Sequence, residues 1–164
     1  MKHLSIIFCL LLAFGCQNKE EKAAAEAKSE NEILIGAVFA MTGPIASYGQ
    51  ESINGIKMAL DEINKTPVNG KIIKLIVEDN KGEPVESANA VRKLIDINKV
   101  DLVLGSVASS NTLASAPIAQ AAKVPLLTPA STNEKVTMTG DFIFRTCFTD
   151  NFQGVVMAKF AFNT

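Results

Sequence analysis

The chain has 164 residues, of which 48% are hydrophobic and 20% charged, and its formal net charge at pH 7 is −1. This length and composition predict at most one globular domain with a hydrophobic core of its own. The near-neutral charge and the scattered lysines provide no basic field to attract a phosphate backbone, so a nucleic-acid partner is not expected.

Residues 1–16 have the features of a bacterial signal peptide. Lys2 and His3 precede an apolar run from Leu4 to Phe14, which is about half the length needed to span a bilayer. The run ends in AFGC, which resembles a lipoprotein lipobox and implies that Cys16 is acylated and becomes the mature N-terminus. The Ala-x-Gly preceding the cysteine also suits ordinary signal peptidase, and both routes imply export. Full acylation would attach the protein to a membrane surface.

Residues 17–31 mix charged residues with alanine and predict a solvated tether, so that the folded part comprises residues 32–164. With the signal peptide removed and Cys16 acylated as expected, Cys147 would be the remaining free cysteine of the mature chain. No disulfide can then form within the chain. Cys147 is expected to be a small core residue.

From residue 32 onward, short apolar runs that predict strands alternate with patterns that predict amphipathic helices. Pro117 falls inside the third helical pattern and implies either a kink or a helix that becomes regular only near Ser115. The fourth helix is expected to be capped by Thr149 or Asp150. The predicted strands are 32–39, 71–79, 100–104, 124–128 and 142–145, and the predicted helices are 50–65, 85–98, 113–122 and the segment from 150.

This alternation predicts a Rossmann-like, three-layer α/β fold, because right-handed crossovers give a parallel sheet covered on both faces. The first strand is apolar throughout and is expected at the centre, whereas Lys74 and Glu78 place the second strand at an edge. The resulting strand order is 2-1-3-4-5. In that order the connections 42–49 and 106–111 diverge, and the crevice between them is the expected ligand site.

The stretch VDLVLGSVASSNT (100–112) reads as a buried strand followed by a small polar turn and a helix. Side-chain oxygens of Ser106, Ser109, Ser110 and Asn111 would lie beside free helix N–H groups and the positive end of the helix dipole. This combination suits the carboxylate of a ligand. The alternative is an ordinary strand-to-helix turn in which a serine is the N-cap.

Catalytic and cofactor motifs are missing from the sequence. The only histidine is His3, in the predicted signal peptide, so Ser109 has no histidine base with which to form a Ser-His-Asp triad. The same shortage of ligands argues against a metal site, and neither a G-x-G-x-x-G nor a P-loop motif occurs. We therefore expect binding without chemistry, with no cofactor and no metal.

Four motifs in order closely resemble the branched-chain amino-acid (Leu/Ile/Val) binding proteins, a family of type I periplasmic binding proteins. They are MTGPIASYG at 41–49, LGSVASSNT at 104–112, VPLLTPASTNEKVT at 124–137 and FRTCFTDNFQG at 144–154. In that family two Rossmann-like lobes joined by hinge strands close on an amino acid and deliver it to an ABC importer. The resemblance implies that residues 32–164 are an incomplete, truncated N-terminal lobe with exposed apolar surface.

The resemblance also assigns roles to individual residues. Ser109 would bind the ligand α-carboxylate through its hydroxyl and N–H, with help from Thr132. The carbonyl of Ala130 and the hydroxyl of Thr132 would face the α-ammonium group, and Tyr48 would lie against the ligand side chain. Secondary candidates in the same motifs are Ser110, Ser131 and Asp150.

Each assignment has a structural alternative. Tyr48 could be a loop aromatic that covers the end of the sheet, and Thr132 could cap a short turn that begins at Asn133. Helix capping alone would explain Asp150.

For the whole protein, the resemblance implies an exported, periplasmic or cell-surface lipoprotein that binds an amino acid and serves an ABC permease. A receptor domain of the same fold and an α/β enzyme are the alternatives.

Overall fold

The computed structural model describes residues 29–163. The predicted signal peptide, Cys16 and residues 17–28 of the predicted tether lie outside this range. The strands are β1 (Glu32–Phe39), β2 (Ile72–Asp79), β3 (Leu102–Gly105), β4 (Leu126–Thr128) and β5 (Ile143–Arg145), and the helices are α1 (Ala46–Ile63), α2 (Pro84–Asp96), α3 (Ser109–Ala122), a 3-10 helix (Glu134–Thr139) and α4 (Asp150–Asn163).

The strands form one parallel sheet in the order β2-β1-β3-β4-β5, which confirms the predicted topology. β1 pairs with β2 along its whole length and with β3 on its other side. The edge position predicted for β2 is also confirmed. Its Lys74 ammonium lies 2.7 Å from the Glu32 carboxylate of β1, on the solvated side of the edge.

Helices cover both faces of the sheet, as predicted for a three-layer fold. On one face, α2, α3 and the 3-10 helix pack against the sheet, where Leu94 and Ala116 meet Val103 and Leu126 in the larger core cluster. On the other face, α1 inserts Ile53 against β1 in a smaller cluster. The main core therefore lies on the α2 and α3 side.

The α1 face of the sheet is only partly covered. Beside α1 lies an apolar cavity of about 350 Å³ whose lining includes Phe39, Ile56, Leu104 and Leu127. No residue of α4 is buried, and its large apolar side chains are exposed. Exposed apolar surface was predicted for this chain and is confirmed. No helix of residues 29–163 is long and apolar enough to cross a membrane.

Two helices begin earlier than predicted. α1 begins at Ala46 rather than Gln50, which takes Tyr48 out of the loop and into the first helical turn. α3 begins at Ser109 rather than Leu113 and includes Pro117, so regular helix is not delayed to Ser115. Ala116 and Ala119 beside this proline are fully buried, and their packing outweighs the hydrogen bond that the proline cannot make.

The structure also shows which residue caps α4 and how far Cys147 is buried. Thr149, not Asp150, caps α4, because its hydroxyl accepts a hydrogen bond from the Phe152 N–H at 3.3 Å. Cys147 is half-buried rather than in the core, because it lies in the connection to a helix that packs on no core residue.

Gly105 allows β3 to pass close to β1 at the point where the site begins. Its φ is +127°, and a Cβ atom there would lie 2.2 Å from the Val38 carbonyl oxygen. We expect Gly105→Ala to lower the free energy of unfolding by at least about 2 kcal/mol, because it combines backbone strain with a clash against backbone. Denaturant titration measures the change.

Gly55→Ala in α1 is the matched control, because a Cβ atom at this helical glycine would meet no atom within 4 Å. We expect this variant to be more stable by about 0.5–1 kcal/mol. Equal denaturation midpoints for the two variants would contradict the importance of the contact at Gly105.

Candidate functional site

A buried hydrogen-bond network centred on Ser106 joins the carboxyl ends of β1, β3 and β4. The Ser106 hydroxyl donates to the Val38 carbonyl at 3.1 Å and accepts from the Asn80 amide at 2.9 Å. Its N–H donates to the Thr112 hydroxyl at 3.0 Å, and its carbonyl accepts from the Thr128 hydroxyl at 2.7 Å. The network fixes the first turn of α3 relative to the end of β4.

Ser131 extends this network into the turn that follows β4. Its hydroxyl is fully buried and lies 2.7 Å from the Thr112 hydroxyl and 2.8 Å from that of Thr128. It also donates to the Ser106 carbonyl at 3.2 Å. The Ser131 hydroxyl, a secondary ligand candidate in the sequence, is thus directed into the fold and occupied there.

The first turn of α3 adjoins the turn after β4. The Asn133 N–H donates to the Ser109 hydroxyl oxygen at 3.3 Å, which leaves the Ser109 hydroxyl proton available for another acceptor. Within residues 29–163, neither the N–H nor the hydroxyl of Thr132 has a protein partner, whereas its carbonyl accepts from the Asp150 N–H at 3.1 Å. Ser109 and Thr132 are half-buried and therefore accessible. Unused donors from two separate elements thus lie side by side.

The proposed alternatives for these residues as helix caps are wrong. The N-cap of α3 is Ala108, which has no side-chain cap, so Ser109 and Ser110 stand inside the first turn. The free N–H groups of that turn keep their partial positive charge for a ligand. Asn133 rather than Thr132 caps the 3-10 helix, since its side chain accepts from the Lys135 N–H at 3.0 Å.

Four other candidates lie at the same end of the sheet. Ala130 is exposed, and Asp150 is exposed in the first turn of α4. Tyr48 is 61% exposed, so its ring does not cover the end of the sheet and remains accessible to a ligand. The exposed Ser110 hydroxyl makes a contact of 3.4 Å with the Asn111 side chain. Direct contacts link the segments of Ser109, Thr132 and Asp150, while Tyr48 stands on the separate connection after β1.

Arg145 supports the turn after β4 from its outer side. Its Nη1 atom donates to the carbonyls of Ser131 at 3.1 Å and Asn133 at 2.8 Å. Its Nη2 atom donates to the Thr137 hydroxyl at 2.6 Å and contacts the Glu134 carbonyl at 3.4 Å. Arg145 is not among the residues predicted from the sequence, where its only signal is its place in the motif at 144–154.

Asp79 supports the other connection, between β1 and α1. Its carboxylate accepts from the Met41 N–H at 2.9 Å, the Lys81 N–H at 2.8 Å and the Thr42 hydroxyl at 2.6 Å. Burial opposes ionisation of this carboxyl, but the hydrogen bonds, led by the Thr42 hydroxyl, outweigh it and lower the pKa of Asp79.

Among residues 29–163, no group of three or more His, Cys, Asp or Glu side chains could hold a metal ion.

Because the pKa of Asp79 is lower in the folded state, its ionised form stabilises the fold above the unfolded pKa of about 4. That stability is lost as the pH falls through the lower, folded pKa. We expect Asp79→Asn to lower the free energy of unfolding at pH 7, with the difference from the unsubstituted chain shrinking as the pH falls below about 4. Denaturant titrations from pH 7 to pH 3 measure it, and a difference independent of pH would contradict this role.

Sequence and structure comparisons place the chain among known proteins. A family profile described as periplasmic binding protein matches residues 32–164. A leucine-, isoleucine-, valine-, threonine- and alanine-binding protein from Pseudomonas aeruginosa is 33% identical, with 84% of this chain and 37% of that protein aligned.

Two solved structures share the fold. A leucine-binding protein from Thermotoga maritima is 44% identical, with a TM-score of 0.74, and the match covers 79% of this chain and 37% of that one. A solute-binding protein of an ABC transporter from Rhodopseudomonas palustris, in complex with 3,4-dihydroxybenzoic acid, is 33% identical with a TM-score of 0.69, over 73% of this chain and 33% of that one. The chain thus spans little more than a third of the length of these relatives. Because the family profile matches residues 32–164, the chain belongs to the periplasmic binding protein family.

Proposed function

We propose that this chain forms one side of an amino-acid site in an exported solute-binding protein that delivers its ligand to an ABC importer. The observation that carries the proposal is the convergence of unused donors from Ser109 and Thr132 beside the uncapped N-terminus of α3. These donors are neutral, so they suit a carboxylate in a zwitterion without leaving a buried arginine unpaired when the site is empty.

The ligands named for the relatives support a carboxylate site in this lobe. Leucine and 3,4-dihydroxybenzoic acid differ in their side groups, but both carry a carboxylate. We infer that the carboxylate is the part read by Ser109 and Thr132, and that the remaining contacts select the ligand. Because leucine is in the names of both the Pseudomonas aeruginosa and the Thermotoga maritima relative, we propose a branched-chain or similar amino acid.

In this proposal Ser109 donates its hydroxyl and N–H to the α-carboxylate, and Thr132 donates its N–H. The carbonyl of Ala130 and the hydroxyl of Thr132 accept from the α-ammonium group, and the exposed Tyr48 ring packs against the ligand side chain. Ser110 and Asp150 stand at the margin of this site as secondary contacts.

Binding to this chain alone should be weak. Each hydrogen bond to a charged group contributes about 1.5–3 kcal/mol, whereas association costs an estimated 4–15 kcal/mol. Two or three such bonds, all from one side of the ligand, therefore leave little net affinity for residues 17–164 by themselves.

We expect residues 17–164 to bind leucine with a dissociation constant of about 1 mM or weaker. Two-dimensional NMR titration should show saturable shifts of the Ser109 and Thr132 amide resonances. Ser109→Ala should reduce affinity at least about fivefold, because it removes one charge-assisted hydrogen bond. Leucine amide, which lacks the carboxylate, should give no shifts at these residues.

Ser29→Ala is the control, since this exposed serine lies before β1 and its hydroxyl accepts from the Asn31 N–H. Micromolar leucine binding by the unsubstituted chain would contradict the one-sided site. Equal shifts with leucine and leucine amide would contradict carboxylate recognition.

We further propose that the protein is a lipoprotein anchored through Cys16, outside the described residues. The proposal rests on the apolar run that ends at this cysteine and on membership of a periplasmic family. In a bacterial host, we expect the unsubstituted protein to incorporate labelled palmitate and to sediment with membranes. Cys16→Ser should abolish both properties, because the acylated thiol is lost.

Cys147→Ser provides the matched control for the lipid anchor, because Cys147 is the free thiol of the described residues. Its labelling should equal that of the unsubstituted chain. Undiminished membrane association of Cys16→Ser would exclude this anchor.

A further inference from the structure

We propose that Arg145 is a positioning residue of the ligand site, which orients the Ser131–Thr132 peptide group so that the Thr132 N–H faces the ligand carboxylate. This inference rests on the function proposed above. Arg145 ends β5, two strands away from β3, and its guanidinium donates to the Ser131 carbonyl in the turn after β4.

The orientation of the Thr132 N–H follows from the geometry of the peptide bond. In a trans peptide group the C=O and the following N–H point in opposite directions. The Ser131 carbonyl points at the Arg145 Nη1 atom, 3.1 Å away, so the N–H of Thr132 points away from the guanidinium. That N–H has no partner within residues 29–163, which is the state required of a donor reserved for a ligand.

The planar shape of the guanidinium allows Arg145 to hold several acceptors of the turn at once. Nη1 bridges the Ser131 and Asn133 carbonyls while Nη2 reaches the Thr137 hydroxyl, so one planar group spans the whole turn. A lysine ammonium presents its donors from a single point and cannot reproduce this fork. The contacts therefore depend on arginine and not only on a positive charge.

The positive charge of Arg145 also favours binding of a carboxylate at this turn. All its hydrogen-bond acceptors are neutral oxygens, and it takes part in none of the ion pairs of residues 29–163. The Glu134 carboxylate beside it accepts instead from the Asn151 side chain at 2.8 Å. A positive charge behind the turn has the sign that favours a carboxylate in front of it.

The test compares Arg145→Lys with Arg92→Lys, because Arg92 is the only other arginine and is exposed on α2. Without ligand, Arg145→Lys should displace the Thr132 amide resonance in two-dimensional NMR spectra. With leucine, the affinity reported by Thr132 and Ser109 should fall at least about fivefold. Arg92→Lys should change neither property, and thermal unfolding of both variants is followed in parallel.

The outcomes separate the two proposals. If leucine shifts no resonance of the unsubstituted chain, the carboxylate site is wrong, while the ligand-free position of the Thr132 resonance still decides the role of Arg145. An unchanged Thr132 resonance and leucine response in Arg145→Lys would overturn that role, even if its unfolding temperature fell. If this variant does not fold, Thr137→Val replaces it and removes only the 2.6 Å acceptor of Nη2. A displaced Thr132 resonance then supports the proposal, and an unmoved one overturns it.

Discussion

The site depends on one buried polar residue, Ser106, which satisfies its hydroxyl, N–H and carbonyl across three parallel strands. A buried polar network of this kind is stable only when every member has a partner, because an unpaired buried group costs about 1–3 kcal/mol. Arrangements of the strand ends that would leave one of these buried groups unpaired are therefore disfavoured. The hydrogen bonds of this buried network hold the first turn of α3 against the turn after β4, and this brings Ser109 and Thr132 close together.

Much of the fold was predictable because its causes are local and periodic. The apolar run of β1 and the helical spacing in α2 mark elements directly, and the alternation of strands and helices leaves few parallel topologies. The position of the site follows from that topology, since diverging connections in a 2-1-3-4-5 sheet open one crevice. Ser109 and Thr132 were recognisable because they belong to motifs of a known family.

The remaining details depend on contacts between residues distant in sequence, which leave no periodic trace. The sequence around Ser131 does not predict that its hydroxyl is directed inward to Thr112. The sequence around Arg145 likewise does not predict its hydrogen bond to the Asn133 carbonyl. The early start of α3 is likewise a tertiary effect. Small polar residues were expected to cap that helix, but Ala108 occupies the cap and the serines follow it.

The peptide group between Ser131 and Thr132 has a consequence for the dynamics of the site. Its carbonyl is bonded to the Arg145 guanidinium, and its N–H is the donor proposed for the ligand, so cation, peptide dipole and anion stand in series. Hydrogen bonds in such a chain polarise and strengthen one another. In the proposed site, a bound carboxylate would therefore tighten the Arg145 contact, and by reciprocity a rigid turn would raise affinity for the carboxylate. Occupancy of that site would thereby be transmitted to β5, from which the chain continues into the exposed helix α4.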